Sequence, residues 1–529
     1  MNFLSLKNIF ELVSCCPGQS CTSKLSVKLT ESDKKGFALK LNISCIDSCG
    51  FSSNIFTSPQ IETDKPGCNA FEVNLRSVMA FREIGRGHKA METFSTVMNM
   101  PLPMTSRNFN EINNKLLPVY KECAESNQKM AAEEVHDIKG IDIAKPVNCQ
   151  ISVDGSWQKR GYSSLNGVVT AIAHDNSKVI DVIVLSKHCK QCQIWENRKD
   201  NPRYFDWKNN HNCQINHTGS AGAMESAGAL EIFRSSLVKY NLRYSHYLGD
   251  GDTSSFSKII DAKPYGEDLI PSKLECVGHI QKRLGNRARN LRKSLKSTVL
   301  DDGKKIQGKG RLTDRKIDTL QNYFGMAIRQ NTNNILNMRN SIIAILYHCS
   351  DIANDESRHR FCPKGPESWC RWQTKDPNFK NKVNLPLAIH KVLKPIFQDL
   401  SKEELLKKCL HGGTQNANES FNQLIWDRCP KSKFASKKIV ELAVYSAVIN
   451  FNSGLLAFED VFKGLHIEPG HYFYKNAENH DKARLRSIAL KDTDSKKKRR
   501  KTLRSIRKGH IDKNKENEGG DAYKAGNFS

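Results

Sequence analysis

The 529 residues are too many for one simple core, so we expect about two to four modules. A hydrophobic fraction of 38% and a charged fraction of 26% are typical of a soluble globular protein. No apolar run approaches the roughly 18 residues that a membrane span needs, and the first residues lack a convincing secretory signal. We therefore expect no membrane anchor.

Charge and cysteine content indicate the class of partner and ligand. The 82 lysines and arginines exceed the 56 acidic residues, and the net charge of +26 indicates a polyanionic partner, most simply nucleic acid. A solvated surface or a targeting tail could account for much of this charge. Several of the 17 cysteines lie at metal-ligand spacings close to histidines. Without a secretion signal, reduced thiols and zinc are favoured over disulfides.

Residues 1–60 carry two pairs of cysteines on either side of two alternating apolar runs, over 25–29 and 37–43. The cysteines are Cys16, Cys21, Cys45 and Cys49. The alternation predicts a hairpin, and four thiolates from two knuckles could close a tetrahedral zinc site. We predict a zinc-ribbon-like module that the metal stabilises. Both knuckles are wider than the usual C-x2-C, so chance pairs of cysteines are the alternative.

Residues 61–147 change to helical periodicity, for example over 71–81 and 109–135. Pro101 and Pro103 mark a break between the two helical stretches. No residue pattern here indicates chemistry, so we predict a helical linking module.

Residues 148–300 alternate between predicted strands and helices. Two strands within 151–172 and a third over 178–186 predict an antiparallel meander. The next predicted elements are a helix over 222–240, a strand over 244–250, a helix over 253–261 and a strand-like segment over 273–279. This is the order of a ribonuclease-H-like mixed sheet, in which the first and fourth strands are neighbours. The fourth strand ends in Asp250, so we expect Asp154 on the first strand to lie close to it.

An insert at 188–217 interrupts this α/β core. It contains a C-x2-C pair, Cys189 and Cys192, followed by His211 and Cys213. This Cys3His set predicts a second zinc site. The alternative is that His211 or His217 lies nearer a catalytic cleft.

Basic residues become dense after the last predicted strand, along one predicted helix. They include Lys282, Arg283, Arg287 and Arg289. A helix of this kind next to an active-site sheet predicts contacts to DNA phosphates. A solvated charged face is the alternative.

Residues 301–410 are predicted to be a mainly helical insertion between the sheet and its last helix. His359, Cys362 and Cys370, with Cys349 upstream, could form another zinc site, although their spacing is irregular.

The last predicted helix of the core lies in 411–475 and carries Glu419 near its first turn. A carboxylate there could equally serve the helix dipole without a catalytic role. The segment 476–529, with a basic run over 496–501, is predicted to be disordered, and it is typical of a nuclear-localisation signal or of nonspecific DNA contact.

Four stretches, in their order along the chain, resemble Mutator-like transposase domains. They are Val153-Asp154-Gly155-Ser156-Trp157-Gln158-Lys159-Arg160-Gly161, Leu248-Gly249-Asp250-Gly251-Asp252, Glu275-Cys276-Val277-Gly278-His279 and Gln415-Asn416-Ala417-Asn418-Glu419-Ser420-Phe421-Asn422. The resemblance covers roughly residues 10–475. It implies a cut-and-paste DNA transposase with a ribonuclease-H-like core and an Asp, Asp, Glu triad.

The resemblance implies Asp154 as the first acid, Asp250 as the second and Glu419 as the third. Asp252 is the rival for the second place, because residues two apart on a strand share a face. Asp154-Gly155 taken alone could be an ordinary hairpin turn.

Further residues take supporting roles in the same family pattern. Cys276 and His279 resemble its C-x2-H signature, for which we expect a supporting role. Lys159 and Arg160, in the basic turn after the first strand, are candidate phosphate contacts.

The carboxylate triad suits two divalent ions, Mg2+ or Mn2+, that cleave DNA strands and let a freed 3′-hydroxyl attack target DNA. We expect double-stranded DNA as partner (the terminal repeats of a mobile element and its target), a homo-oligomer on DNA and a nuclear location. The first alternative is a transposase-derived, catalytically inactive zinc protein that binds DNA or chromatin. A ribonuclease-H-like nuclease acting on RNA is a third possibility, which fits the helical insertion and basic arms less well.

Overall fold

A computed structural model of the chain describes residues 15–17, 21–47, 49–61, 70–159, 163–249, 254–366, 368–376 and 383–491. Asp250, Asp252 and Arg160 lie outside these ranges, and so does the basic run over 496–501. The chain divides into two units, residues 1–452 and 453–529.

The N-terminal module is a three-stranded antiparallel sheet in chain order. Its strands are β1 (Leu25–Lys35), β2 (Ala38–Cys45) and β3 (Ser52–Phe56). The predicted hairpin is confirmed, and Gly36 in its turn has φ +66, a left-handed conformation that favours glycine. The third strand has no clear alternation and was not predicted. Among the described residues of this module, the hydrophobic core cluster contains five buried members, two of them cysteines. A core this small favours additional stabilisation of the sheet.

A short two-stranded sheet and three helices follow. The elements are β4 (Gln60–Ile61), β5 (Ala70–Phe71), α1 (Glu72–Glu83), α2 (His88–Val97) and α3 (Ser106–Lys139). The Thr105 side chain accepts a hydrogen bond from the backbone N–H of Asn108 and so caps the start of α3. Gly140 ends α3 in a left-handed conformation. The helical periodicity over 71–81 and 109–135 is thus confirmed.

Five strands form a mixed central sheet. They are β6 (Val147–Trp157), β7 (Asn166–Ala173), β8 (Val179–Ser186), β9 (Leu242–Gly249) and β10 (Ser272–Glu275). Their order is β10-β9-β6-β7-β8. β6, β7 and β8 form the predicted antiparallel meander, while β9 is parallel to β6 and β10 is parallel to β9. The predicted adjacency of the first and fourth strands is therefore confirmed.

In the described residues, four helices lie between the strands of this sheet along the chain, and the third of them packs on the sheet. They are α4 (Lys190–Glu196), α5 (Tyr204–Asn210), α6 (Ala223–Tyr240) and α7 (Ser254–Ala262). Helix α6 packs against β7 so closely that a Cβ on Gly228 would lie 2.6 Å from Cγ2 of Val169. Phe233 of α6 and Ile151 and Tyr247 of the sheet belong to one buried core. The sheet is therefore the rigid support for the residues at its strand ends.

A second core is helical and belongs mainly to the predicted insertion. Its elements are α8 (Val277–Ser294), α9 (Asp314–Arg329) and α10 (Ile335–His348), then, after the short helix α11 (Asp355–His359), which adds no residue to this core, α12 (Leu387–Leu400) and α13 (Glu403–Lys407). The strand-like prediction over 273–279 is wrong after Glu275, because Cys276 is the N-cap of α8 and Val277 begins the helix. Helix α8 thus leads directly from the sheet into the helical core.

The remaining helices are α14 (Asn416–Arg428), α15 (Lys437–Ser453), α16 (Phe458–Gly464) and α17 (His471–Lys491). Within the second unit, the Asp481 carboxylate accepts hydrogen bonds from the backbone N–H groups of Leu455 and Leu456. Residues 476–491 lie in helix α17, so the prediction of disorder is wrong for them. The polar composition of this segment favoured disorder, because composition does not show that the Asp481 carboxylate binds the backbone of Leu455 and Leu456. None of the helices in the described ranges is both long enough and apolar enough to span a membrane.

Asn452 provides a test of the contact that pairs backbone groups of the edge strand β8. Its buried side chain accepts from the Val179 N–H at 2.9 Å and donates to the Val179 carbonyl at 2.8 Å. Asn452→Ala would leave both backbone groups unpaired, so we expect the free energy of unfolding to fall by about 1–3 kcal/mol. Urea denaturation measures the loss. Asn337→Ala, at an exposed position of α10, is the control and should change it by less than about 0.5 kcal/mol.

Candidate functional site

A row of side chains from α14 and its N-terminal cap lies along strand β6. Gln415 Nε2 donates to the Val153 carbonyl at 2.9 Å. Asn418 Nδ2 donates to the Ser152 carbonyl and to Thr170 Oγ1, both at 3.2 Å. Gln415 and Asn418 are buried, so these hydrogen bonds satisfy groups that water cannot reach.

The same row continues to the predicted first acid. Asn422 Nδ2 donates to Asp154 Oδ2 at 2.6 Å, and Trp426 Nε1 donates to Ser156 Oγ at 2.7 Å. Asn418, Asn422 and Trp426 recur at the four-residue spacing that places side chains on one helix face. One face of α14 therefore follows β6 and contacts the Asp154 carboxylate.

Glu419 lies three residues before Asn422, and residues with this spacing are neighbours on a helix surface. Its side chain is 62% exposed, and its carboxylate lies 3.9 Å from Lys282 Nζ. Helix α14 thus brings the predicted third acid to the side of β6 where Asn422 contacts the first. A carboxylate at this position is accessible to an ion and to a polar substrate.

The second acid belongs to the end of β9. This strand pairs with β6 up to Leu248 opposite Ser152 and ends at Gly249, one residue before Asp250. Asp250 and Asp252 lie outside the described residues, so the choice between them stays a prediction. Strand β9 nevertheless leads toward the part of β6 that carries Asp154.

Cys276 joins the starts of two helices. Its buried Sγ accepts a hydrogen bond from the backbone N–H of Gln415 at 3.4 Å, and the adjacent Val277 N–H donates to the Gly413 carbonyl at 3.2 Å. His279 follows in the first turn of α8, where its backbone N–H donates to the Cys276 carbonyl. The contacts of Cys276 fit the supporting role expected of the C-x2-H pair.

The predicted DNA-contacting arginines of α8 form ion pairs within the chain. Arg283 pairs with Glu275 at 2.9 Å, Arg287 pairs with Asp399, and Arg289 pairs with Asp318. These pairs tie α8 to β10, α12 and α9. The three arginines therefore have structural partners, and their contact with DNA stays a prediction.

The predicted lysine contacts differ from these arginines in exposure. Lys282 has a side chain that is 61% exposed, and Lys159 is exposed at the end of β6. Arg160, the neighbour of Lys159, lies outside the described residues. The two lysines are thus the better placed of the predicted phosphate contacts.

The four cysteines of the N-terminal module form one group, as predicted. Their sulfurs all lie within 4.8 Å of one another, with Cys16 and Cys49 at 3.3 Å and Cys21 and Cys45 at 3.7 Å. A tetrahedral zinc site requires sulfurs about 3.8 Å apart. The backbone N–H of Cys49 donates to Cys45 and is the main reason that the pKa of this thiol is lowered to about 7. The group could therefore hold a zinc ion.

The insert between β8 and α6 contains a second group, also as predicted. Cys189, Cys192, His211 and Cys213 offer ligand atoms within 4.8 Å of one another. The Cys192 sulfur lies 3.2 Å from His211 Nε2 and 3.5 Å from the Cys213 sulfur. His211 thus belongs to the cysteine group. His217 contacts the Ser220 carbonyl, and the alternative that His211 or His217 lies nearer a catalytic cleft stays a prediction.

Two cysteine thiols of this second group have pKa values shifted in opposite directions. Burial raises the pKa of Cys189, but hydrogen bonds from the backbone N–H groups of Gln214 and Cys192 outweigh burial and lower this pKa to about 6. Burial, followed by the neighbouring thiols, raises the pKa of Cys192 to about 12. A thiolate at Cys189 is thus available as a first metal ligand near neutral pH.

A third group lies in the helical insertion and comprises His348, His359, Cys362 and Cys370. The irregular sequence pattern indicated three of these residues, but Cys349 takes no part, and His348 occupies the fourth position. Cys349 instead belongs to the buried helical core. The position of His348 at the end of α10 is the signal that could have identified it. Adjacent residues point about 100° apart around a helix, so His348 and Cys349 face different directions.

A model of the Mutator-like transposase family matches residues 2–370 of this chain, which is well over half of its length. The chain belongs to the Mutator-like transposase family. The match includes Asp154 and both candidates for the second acid, whereas Glu419 lies beyond it. A search among curated proteins found no match. Membership of this transposase family implies DNA as a partner and suggests a nuclease or transferase activity.

A largely buried ion pair anchors the far end of α14. Arg428 Nε donates to Glu83 of α1 at 2.9 Å and to Ser446 of α15 at 2.7 Å. The Ser446 hydroxyl also donates to Glu83 at 2.6 Å, and Tyr120 of α3 donates to the same carboxylate at 3.3 Å. Helix α14 is therefore fixed at its start by β6 and at its end by the helical module.

Glu83→Gln tests this anchor. It removes the negative charge from a site that also contains Arg82 and Arg428, so we expect about 3 kcal/mol less free energy of unfolding. Hydrogen exchange should also speed up in α14. The control is Glu111→Gln, which breaks an exposed pair with Arg107 and should cost less than about 0.5 kcal/mol. Equal losses in the two variants would contradict the anchoring role of Glu83.

Proposed function

We propose that the chain is a DNA transposase that cleaves DNA strands and joins a freed 3′-hydroxyl to target DNA. Its acids are Asp154, Asp250 and Glu419, with Asp252 as the alternative second acid. The observation that carries this proposal is the hydrogen bond between Asn422 and Asp154, because it ties the helix of the third acid to the strand of the first. Family membership supports the same reaction class.

The topology of the sheet supports a ribonuclease-H-like core. Three antiparallel strands in chain order are followed by two strands that are parallel to the first, with β9 beside β6. In such a sheet the ends of the first and fourth strands lie side by side, and a helix after the sheet completes the acidic site. The contacts that α14 and its N-cap make with β6 through four side chains, over about three helical turns, support this position for α14.

The donor set fits hard divalent cations. Carboxylate oxygens are the ligands that Mg2+ and Mn2+ prefer, and Asn422 is an outer-sphere partner that orients the Asp154 carboxylate. Bound metal would activate the attacking water or 3′-hydroxyl and stabilise the leaving oxygen. Asp154 and Glu419 would hold it, together with the second acid. Lys282, beside Glu419, would position a phosphate near these carboxylates.

The first two Cys/His groups are proposed to bind structural zinc. The support is their ligand chemistry, four thiolates in one group and three thiolates with one imidazole in the other, and the short distances between these ligands. We also propose a nuclear location, supported by the basic run over 496–501. A homo-oligomer on DNA stays a prediction.

Cleavage of DNA that carries the terminal repeats of the element, in the presence of Mg2+ or Mn2+, tests the proposed activity. Removing an outer-sphere partner of a metal ligand typically costs 10–100-fold, so we expect Asn422→Ala to lose about that much and Asp154→Asn and Glu419→Gln to lose more. The control Asp301→Asn changes an exposed carboxylate that pairs with Lys391, and it should cleave like wild type.

The outcome that would contradict the transposase proposal is a folded wild-type protein that binds these DNA ends but cuts none of them with either metal. Sequence-specific binding that is unchanged in Asp154→Asn would then favour the inactive DNA-binding alternative. Cutting of RNA in preference to DNA would favour the nuclease alternative.

The salt dependence of DNA binding separates Lys282 from the arginines of α8. Lys282→Ala should weaken binding for all sequences and reduce the slope of log K against log salt by about 1, as expected for one lost phosphate contact. Arg287→Ala is the matched comparison, because its guanidinium pairs with Asp399. It should leave the slope nearly unchanged and lower thermal stability. An unchanged slope in Lys282→Ala would contradict its assigned contact.

A further inference from the structure

The third Cys/His group has the dimensions of a metal site. Cys362 Sγ lies 3.6 Å from His348 Nδ1 and 3.7 Å from His359 Nδ1. Cys370 Sγ lies 3.7 Å and 3.4 Å from the same two nitrogens. Zn–S and Zn–N bonds of about 2.3 and 2.0 Å at tetrahedral angles separate sulfur and nitrogen by about 3.5 Å. All four cross-distances agree with this value.

Local structure brings the four residues together from three short segments. His348 is the last residue of α10, and His359 is the last residue of α11. The side chain of Asn354 caps α11, and the Cys362 N–H donates to the His359 carbonyl at 2.9 Å, which turns the chain back. The chain therefore presents an imidazole and a thiol from one tight turn, as in a zinc knuckle.

Aromatic rings support both imidazoles. Trp372 stacks on His359 with ring centroids 4.8 Å apart and an angle of 11° between the planes. Trp369 meets His348 edge-on at 5.1 Å. These contacts restrict the rotation of both rings, as expected of metal ligands whose orientation is supported by the surrounding shell.

The segment around this group has little hydrophobic core of its own. Ala344, Cys362 and Cys370 are its only fully buried apolar members among the described residues, with Phe361 and Trp372 packed against them. This cluster is separate from the larger helical core. Both cysteines are free thiols. A segment with so few apolar contacts is stabilised when a metal ion binds its buried cysteines and histidines.

We propose that His348, His359, Cys362 and Cys370 bind one zinc ion, which fixes Cys370 and the turn after α11 to the end of α10. Two thiolates and two imidazoles in a tetrahedron are the donor set that selects zinc. This structural site is independent of the proposed cleavage chemistry. It gives the helical insertion a metal-stabilised lobe next to its main core.

Zinc content of the purified full-length protein, measured by plasma mass spectrometry, tests this site. Cys362→Ser should lower the zinc bound per chain by one relative to wild type. Cys349→Ala is the matched control, because Cys349 is also buried and directly follows the ligand His348 but belongs to the helical core. It should retain all of the zinc. The same zinc content in wild type and in Cys362→Ser would overturn the proposal.

Alkylation provides a second test, which uses the wild-type protein alone and so does not depend on whether a variant folds. N-ethylmaleimide labelling, read by peptide mass spectrometry, should leave Cys362 and Cys370 unmodified until a zinc chelator is added under native conditions. After chelation both should react, while Cys349 and Cys409, with exposures of 1% and 0%, should stay protected. Unchanged protection of Cys362 and Cys370 after chelation would show that burial alone shields them and would overturn the zinc assignment.

Discussion

The hydrogen-bonded row between α14 and β6 is the constraint on which the candidate site depends. The pairing of β6 with β9 stops at Ser152, and from there the amides of α14 contact the strand. A buried polar group without its partner costs about 1–3 kcal/mol, so moving α14 by one residue would be penalised at several positions together. The position of Glu419 relative to Asp154 therefore follows from residues that carry no charge.

Three parts of the chain with few buried apolar residues among those described each contain a Cys/His group. The N-terminal sheet has a core of five buried residues, the helices α4 and α5 of the insert bury none, and the segment after α10 has its own small cluster. The two large cores, in contrast, contain none of these ligand groups. The candidate metal ligands thus occur where the hydrophobic effect alone stabilises the chain least.

The sequence predicted those features whose signals are local. Alternating apolar residues predicted β6 to β8, and short cysteine spacings predicted two ligand groups that the structure brings together. The fourth ligand of the third group was missed, because the choice between His348 and Cys349 depends on the rotation of α10 about its axis. The ion pairs of α8 were also missed, since their partners lie up to 112 residues away in the chain. Composition indicates a charged face but not which charges are already paired.

Helix α8 is one continuous helix that runs from the central sheet into the helical insertion. It begins at the contact between Cys276 and the start of α14, and 18 residues make it about 27 Å long. Its arginines are fastened to α9 and α12 over this length. A tilt of about 5° at the sheet end would move the far end by about 2 Å, given that length. A displacement of the insertion would therefore be transmitted along α8 to Cys276 and the start of α14, the helix that carries the proposed third acid.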